Sequence, residues 1–449
     1  MIDHVAIVGG GFSGTLLAVN LLRHEGPRAT LIERRLEAGE GLAFGAAHPS
    51  HLLNVRAGNM SAFPDDPGHF VRWLEHQGMT DASHAFVPRL TYGRYLRDLL
   101  DEAQRRGGSR LTVLAGDVVD LDTDGPTLTL DDGTRIDADA VVLAVGNLPP
   151  NAPPGIEPER LPPVRYAGDP WDPVALRGLG AEDTVLVLGT GLTMIDVALS
   201  LEAGGFAGRI VALSRRGLVP HAHAEAGPPS EPRRERPLGP MSSLVTTVRA
   251  RAGEIGWRSA VDELRPFTQS MWGAASETER ERFLRHLRPW WDIHRHRLAP
   301  PVAARIAAMR ARGQLCVEAG KLASVAVEAG GAEVAWRPRG RDSLVRMTVA
   351  RIVNCTGPQG NVLRAEEPLL RKLVAGGSIR PDAARLGIDV DAQSRTIDAC
   401  GCANDWLFAA GPMTRGAFWE IVAVPDIRSQ SWALARRLSN AHWIGGEGL

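Results

Sequence analysis

The apolar positions of the chain fall into short unbroken runs separated by glycine clusters and by stretches of helical period. His4 to Val8 is a fully apolar run, which predicts a buried strand. Gly9-Gly10-Gly11 follows, then apolar residues at helical spacing from Thr15 to Leu22, then a second short run, Ala29–Glu33. Strand, glycine turn, helix and strand within this length predict a β-α-β unit of the kind that binds nucleotides. The same order returns at Thr184–Leu188, where a glycine turn and a helical stretch lead into Arg209–Ser214, without close repetition of the residues themselves.

Between and after these units the pattern is mixed. Residues 41–100 read as loops and helices, with Asp65-Asp66-Pro67 turning into a helix over Phe70–Glu75. Thr127–Leu130 and Thr134–Ile136 flank Asp131-Asp132-Gly133, a hairpin signal, and Ala140–Ala144 is a further buried strand ending at Gly146. Residues 149–163 are rich in proline and predict a linker, residues 222–240 an exposed loop, and residues 241–312 a mostly helical segment. Strands follow at Leu322–Glu328, Glu333–Trp336, Val349–Asn354 and Trp406–Ala410, and a helix from Asp426 to Leu438. The expected domains are 1–165 and 346–449, together forming one nucleotide-binding domain, and 166–345, a second with a helical insert over 222–312.

Composition changes this picture little. A chain of 449 residues suits two or three domains, and 44% hydrophobic with 23% charged residues is ordinary globular composition. A formal net charge of -1 gives no electrostatic case for nucleic acid or an anionic membrane. The only lysines are Lys321 and Lys372, which leaves few candidates for Schiff-base chemistry. Cys316, Cys355, Cys400 and Cys402 include a C-x-C but no C-x-x-C and no metal-ligand spacing, which points to a reducing, cytoplasmic compartment and to no bound metal. The N-terminal apolar run carries Asp3 and no basic flank, so it reads as a strand and not a signal peptide.

Chemistry concentrates in the glycine turns. Gly9-Gly10-Gly11-Phe12-Ser13-Gly14 fits G-x-G-x-x-G: Gly9 for the tight turn, Gly11 for backbone approach to a pyrophosphate, and Gly14 for helix–strand packing. The phosphates would sit at the helix N-terminus, where unpaired N–H groups favour anions. Glu33 ends the second strand and offers a carboxylate to ribose hydroxyls. In the second unit, Gly189-Thr190-Gly191-Leu192-Thr193-Met194 has methionine at the third glycine position, and Ser214-Arg215-Arg216 stands where Glu33 stands in the first. Removing the acid and adding arginines suits a 2′-phosphate, so the expected coenzyme is NADPH, with NADH possible; the bland alternative is a solvated turn. Gly146 and Gly357 both end buried strands, where a backbone can pass close to a dinucleotide.

The order of these pieces resembles the two-dinucleotide flavoproteins, with glutathione-reductase-like and flavin-monooxygenase-like folds. More narrowly, it is similar to the bacterial FAD-NAD(P)-binding family. The residues that carry the likeness are His51-Leu52-Leu53-Asn54-Val55, Met60-Ser61-Ala62-Phe63-Pro64-Asp65, Tyr92-Gly93-Arg94-Tyr95-Leu96, Ser214-Arg215-Arg216-Gly217, the stretch His294 to Pro300, and Thr414 to Glu420 running into Val424 to Arg428. The resemblance implies an α/β fold with two Rossmann-like domains. It also implies FAD held by Gly9, Gly11, Ser13, Gly14, Glu33 and Arg34, with Asn54 and Met60 near the flavin ring and Val118 near the adenine. Two departures stand out. Gly411-Pro412 occupies the place of a Gly-Asp whose aspartate binds the ribityl chain, and no redox cysteine pair follows the first glycine motif, which argues against a disulfide reductase.

Relatives in that family include an FAD-dependent urate hydroxylase and amine N-monooxygenases, so the expected reaction is oxygen transfer to a small nitrogen-containing molecule. NADPH would reduce the flavin at N5, and molecular oxygen would add at C4a to give a hydroperoxide. Asn54 is the candidate for orienting flavin or peroxide, because its amide can donate to O4 or N5. Arg415, Trp419 and Glu420 follow the last glycine loop and are candidates on the substrate side. Trp290, Trp291, His294, Arg295 and His296 read either as a substrate pocket or as core tryptophans beside a solvated face. His221 and His223 carry no specific signal. A reductase passing electrons to another acceptor would share these motifs, and so would a nucleotide-binding redox sensor that scarcely turns over.

Overall fold

The structure, a computed structural model, describes residues 2–35, 37–122, 125–224, 235–328 and 330–439. The expected loop over 222–240 therefore falls largely outside the described residues, at 225–234. Contacts divide the chain into two compact units: residues 1–47, 55–148 and 360–449 form one, and residues 48–54 and 149–359 the other.

The first unit is built on a six-stranded sheet, in the order Arg395–Ile397, Ala403–Ala409, Ala140–Leu143, His4–Val8, Arg28–Glu33, Leu111–Ala115. All pairings are parallel except that of Arg395–Ile397 with Ala403–Ala409. The strands His4–Val8 and Ala140–Leu143 are buried at every position, which is why they appear in the sequence as unbroken apolar runs. His4–Val8 has Arg28–Glu33 on one side and Ala140–Leu143 on the other, so the strand order reverses at its carboxyl end. Open parallel sheets bind ligands at such a reversal. The helix Phe12–Arg23 leaves that point with nine buried residues. A three-stranded antiparallel sheet, Val118–Asp122, Thr127–Leu130 and Arg135–Asp137, contains the expected hairpin and adds a strand to it.

The second unit repeats the plan. Its seven-stranded sheet runs Val345–Val349, Gly331–Pro338, Leu315–Glu328, Arg209–Ser214, Thr184–Leu188, Arg351–Asn354, Tyr166–Ala167. Thr184–Leu188 again lies at the reversal, between Arg209–Ser214 and Arg351–Asn354. The expected single strand Val349–Asn354 is two strands meeting at Ala350, the first antiparallel to Gly331–Pro338 and the second parallel to Thr184–Leu188. That parallel pairing places residues 351–354 in the second unit's sheet, beyond the expected boundary at 345. The strand expected to begin at Leu322 begins at Leu315, because its first five residues pair with Arg209–Ser214. The insert holds helices at Met241–Ile255, Trp257–Asp262, Thr268–Ala274, Glu277–Arg282, Arg288–Arg295 and Pro300–Ala311. Among the described residues no helix is long and apolar enough to cross a membrane.

Candidate nucleotide-binding sites

In the first unit the glycines divide into two kinds. Gly9 has φ +105, and a Cβ there would lie 2.4 Å from the Ala144 carbonyl oxygen. At Gly14 a Cβ would lie 1.9 Å from the Gly9 carbonyl oxygen. Gly9 lets the turn pass the end of the neighbouring strand, and Gly14 lets the helix touch the end of its own. At Gly11, by contrast, a Cβ would meet nothing nearer than Gly41 Cα at 3.6 Å, and at Gly146 nothing within 4 Å. Their missing side chains leave space on the cleft side, where a ligand's phosphates can approach the backbone. Gly11 is the N-cap of the helix, so the next N–H groups have no acceptor within it.

An open cleft lies over this point, and the expected residues Gly9, Gly11, Glu33, Arg34, Val118 and Gly146 all line it. Glu33 Oε2 accepts the Gly10 N–H at 2.7 Å and Oε1 accepts the Arg35 N–H at 3.1 Å. The carboxylate is thereby fixed at the rim with lone pairs to spare for a diol. The fit to an adenosine diphosphate moiety is good: backbone donors beneath, a carboxylate at the edge, and an apolar wall from Val118, Leu369 and Leu370. Sequence reasoning missed Asn147, Asp117, Glu367 and the two leucines, which reach the cleft only through the fold. Ser13 is buried in the first turn of the helix, and Gly411, with φ +82, packs against it: a Cβ there would lie 2.2 Å from Ser13 Oγ. The Gly411 N–H donates to Gln430 Oε1 at 2.7 Å. Met60 is buried in the same unit, after the short helix Ala57–Asn59.

The second unit has the same framework with different chemistry. Gly189 has φ +116, and a Cβ there would lie 2.2 Å from the Cys355 carbonyl oxygen, as Gly9 does with Ala144. Gly191 is the exposed N-cap of the helix Leu192–Ala203, with nothing within 4 Å of its Cβ position, and Thr193 lies in the first turn. Gly357, at φ +92, is equally open. Met194 is fully buried at the step where the first unit has Gly14. Thr190 Oγ1 and Ser214 Oγ are hydrogen-bonded at 2.9 Å, and Ser214 Oγ accepts the Gly217 N–H at 3.0 Å. Arg215 is exposed, while Arg216 donates to the His286 carbonyl at 3.2 Å. The expected pair of arginines therefore splits: one faces solvent and the other leans on the insert.

The remaining candidates are placed as follows. Asn54 falls in the segment 48–54 of the second unit, and its carbonyl accepts from His223 Nε2 at 2.9 Å. His51 anchors the same segment through Nε2, which lies 3.0 Å from the Asp196 carbonyl and 2.9 Å from Ser200 Oγ. In the first unit the Arg415 guanidinium lies 4.5 Å from the Trp419 ring centroid. Glu420 is fully buried with φ +70, a backbone conformation that costs a non-glycine residue and recurs at functional sites. In the insert, His221, Trp257 and His294 form a ring triangle with centroids 4.8–4.9 Å apart, and the Arg258 and Arg297 guanidiniums lie over Trp257. Trp257 was not singled out by the sequence; Arg297, within the stretch His294 to Pro300, forms a two-point ion pair with Asp262 at 3.0 and 2.7 Å. Trp290 is 45% exposed and is not a core residue; Trp291, Arg295 and His296 are half-buried.

Two strand–glycine–helix units, each at the reversal point among the parallel strands of its own sheet, give an α/β fold with two Rossmann-like units. Residues 6–148 match the model of the FAD-NAD(P)-binding family. Solved structures share the fold over nearly the whole chain. An FAD-bound cadaverine monooxygenase of desferrioxamine biosynthesis from Erwinia amylovora is 14% identical with a TM-score of 0.68, covering 98% of this chain and 94% of its own. The ornithine hydroxylase of Pseudomonas aeruginosa is 14% identical with a TM-score of 0.67, covering 98% and 99%. The ornithine N-hydroxylase of Kutzneria sp. 744, solved with reduced FAD, NADP+ and L-ornithine, is 16% identical with a TM-score of 0.61, covering 98% and 99%. No curated protein sequence matches the chain at a significant level.

Proposed function

We propose that the protein is an FAD-dependent, NADPH- and oxygen-using monooxygenase that hydroxylates a small nitrogen-containing substrate. The observation that carries this reading is the pairing of two nucleotide cradles of one design with opposite rims, Glu33 in the first and Ser214-Arg215 in the second. An acid at the first rim suits the unphosphorylated ribose of FAD, and a second rim with no acid and an exposed Arg215 suits a 2′-phosphate. A hydride-donating coenzyme in a protein that also binds a flavin implies turnover, which favours an enzyme over a sensor. The structural neighbours named above hydroxylate amines, which supports the nitrogen-containing substrate.

FAD, when bound, would supply the redox chemistry that links NADPH to oxygen. The chain's own residues supply binding and orientation. Gly11 and Gly146 leave room for a pyrophosphate, the N–H groups at the start of Phe12–Arg23 would bind its charge, Glu33 would hold the ribose, Arg34 lies at the cleft edge, and Val118 would pack on the adenine. Gly189, Gly191, Thr193 and Gly357 serve NADPH in the same manner. Arg415, Trp419 and Glu420 order the substrate end, with the guanidinium held in place on the indole face.

The test is anaerobic reduction of the purified flavoprotein by NADPH, followed by admission of oxygen with spectra recorded throughout. A transient absorbance distinct from oxidised and reduced flavin, decaying faster with added diamine or amino-acid amine, is the expected result. Slow direct return to the oxidised spectrum would instead identify a reductase that serves another acceptor.

A further inference from the structure

The insert meets the second nucleotide unit at one place that the proposed reading does not use. Arg216 sits two residues past the strand Arg209–Ser214, at the rim where an adenosine ribose is expected. Its guanidinium donates to the His286 carbonyl at 3.2 Å and lies 6.0 Å from the centroid of the Trp290 ring. His286 belongs to Phe283–Leu287, a π-helical turn. Such turns are rare and recur at functional sites; here a carbonyl of the turn faces out to an arginine of another element. Trp290 follows in the helix Arg288–Arg295 and is 45% exposed, although an indole of this size usually buries its face. An exposed indole held beside a fixed guanidinium, next to a nucleotide rim, has the chemistry of a stacking platform for a purine.

We propose that Trp290 of the insert, backed by Arg216, is the platform on which the adenine of the nicotinamide coenzyme stacks, while Arg215 alone reads the 2′-phosphate. This rests on the reading of the second unit as the coenzyme site and deepens it. The two arginines, side by side in sequence, have separate roles: Arg216 positions the indole and Arg215 meets the charge. The insert then contributes to coenzyme affinity for any adenine nucleotide, and the discrimination between NADPH and NADH lies outside it.

The probes are 2′,5′-ADP and 5′-AMP, titrated calorimetrically into the FAD-loaded protein so that the first cleft is filled. Trp290→Ala is expected to weaken both probes by a similar factor, about tenfold. Trp290→Phe, which retains an aromatic face, should bind both within about threefold of the unsubstituted protein. Arg215→Ala should weaken 2′,5′-ADP and leave 5′-AMP unchanged. If Trp290→Ala binds both probes as the unsubstituted protein does, the platform is overturned and the coenzyme site stands. If the unsubstituted protein binds neither probe, the coenzyme reading falls and the platform with it.

Discussion

Glu33 and Ser214 are structural counterparts that close their glycine loops in different ways. Each stands one residue past a matched register, Val8 opposite Ile32 in the first sheet and Leu188 opposite Leu213 in the second. Glu33 closes its loop by accepting the Gly10 N–H, and Ser214 does so through the Thr190 hydroxyl. Coenzyme choice should therefore follow this position. Ser214→Glu places a carboxylate at the proposed 2′-phosphate position, and should raise KM for NADPH by at least tenfold while sparing NADH. Arg215→Ala should shift the ratio in the same direction through lost attraction. Steady-state flavin reduction with both coenzymes checks this, and equal effects on the two would remove the assignment.

The crowding at Gly14 leads to a second expectation. A Cβ 1.9 Å from the Gly9 carbonyl cannot be accommodated by a rotating side chain, since both atoms are fixed to backbone. Gly14→Ala must push the helix Phe12–Arg23 off its strand, at a cost of about 1–3 kcal/mol. The same shift moves the N–H groups away from the cleft. The purified variant should emerge with little bound flavin, readable as the ratio of visible to protein absorbance, and should melt several degrees lower. Gly11→Ala should lose flavin without the loss of melting temperature, because its Cβ position opens on the cleft. Full flavin occupancy in both variants would move the cofactor elsewhere.

The two nucleotide units were legible because unbroken apolar runs record strands buried on both faces, and the glycines between them record close backbone approach. His4–Val8 and Thr184–Leu188 are found as read. The long helix Arg89–Gly107 was not read, because its buried face is assembled from tyrosines and spaced leucines on an otherwise charged sequence. Leu369 and Leu370, which wall the first cleft, come from far along the chain, and only the return of that segment to the first sheet brings them there. The splitting of Arg215 from Arg216 was equally hidden. It depends on a carbonyl in the insert that no local pattern announces.

The four cysteines differ sharply in environment. Cys355 is buried beneath Gly189, and burial pushes its thiol far above the ordinary range. Cys400 and Cys402 are exposed in the turn before Ala403–Ala409. Since the thiolate is the reactive form, a disulfide reagent should titrate Cys400 and Cys402 rapidly in the native protein and Cys355 only after unfolding. Mass mapping of labelled peptides checks this. Fast labelling of Cys355 would mean that the end of Arg351–Asn354, packed against the second glycine turn, opens readily.

Acid should destabilise the protein through its buried histidines. His4 is enclosed between strands, its ring nitrogens 2.7 Å from the Asp137 carbonyl and 2.8 Å from Thr30 Oγ1, an arrangement that suits the neutral ring. Burial lowers its pKa below the ordinary 6.5, helped by Arg28 and opposed by the Asp137 carbonyl, Asp139 and the Asp137 carboxylate. His69, bonded to the Tyr95 hydroxyl at 2.8 Å, is lowered by burial too, with Arg72 and Arg23 acting in the same direction and Asp66 and Glu102 against it. With the folded pKa depressed, the unfolded chain binds more protons as pH drops, so the stability is complete above about 6.5 and is lost as pH falls toward the folded values. The melting temperature should be flat from pH 8 to 7 and decline steadily below 6.5. His4→Gln, which keeps a donor for the Asp137 carbonyl and cannot titrate, should show a shallower decline than the unsubstituted protein. An identical slope in the two would place the acid sensitivity on other groups and leave His4 a packing residue alone.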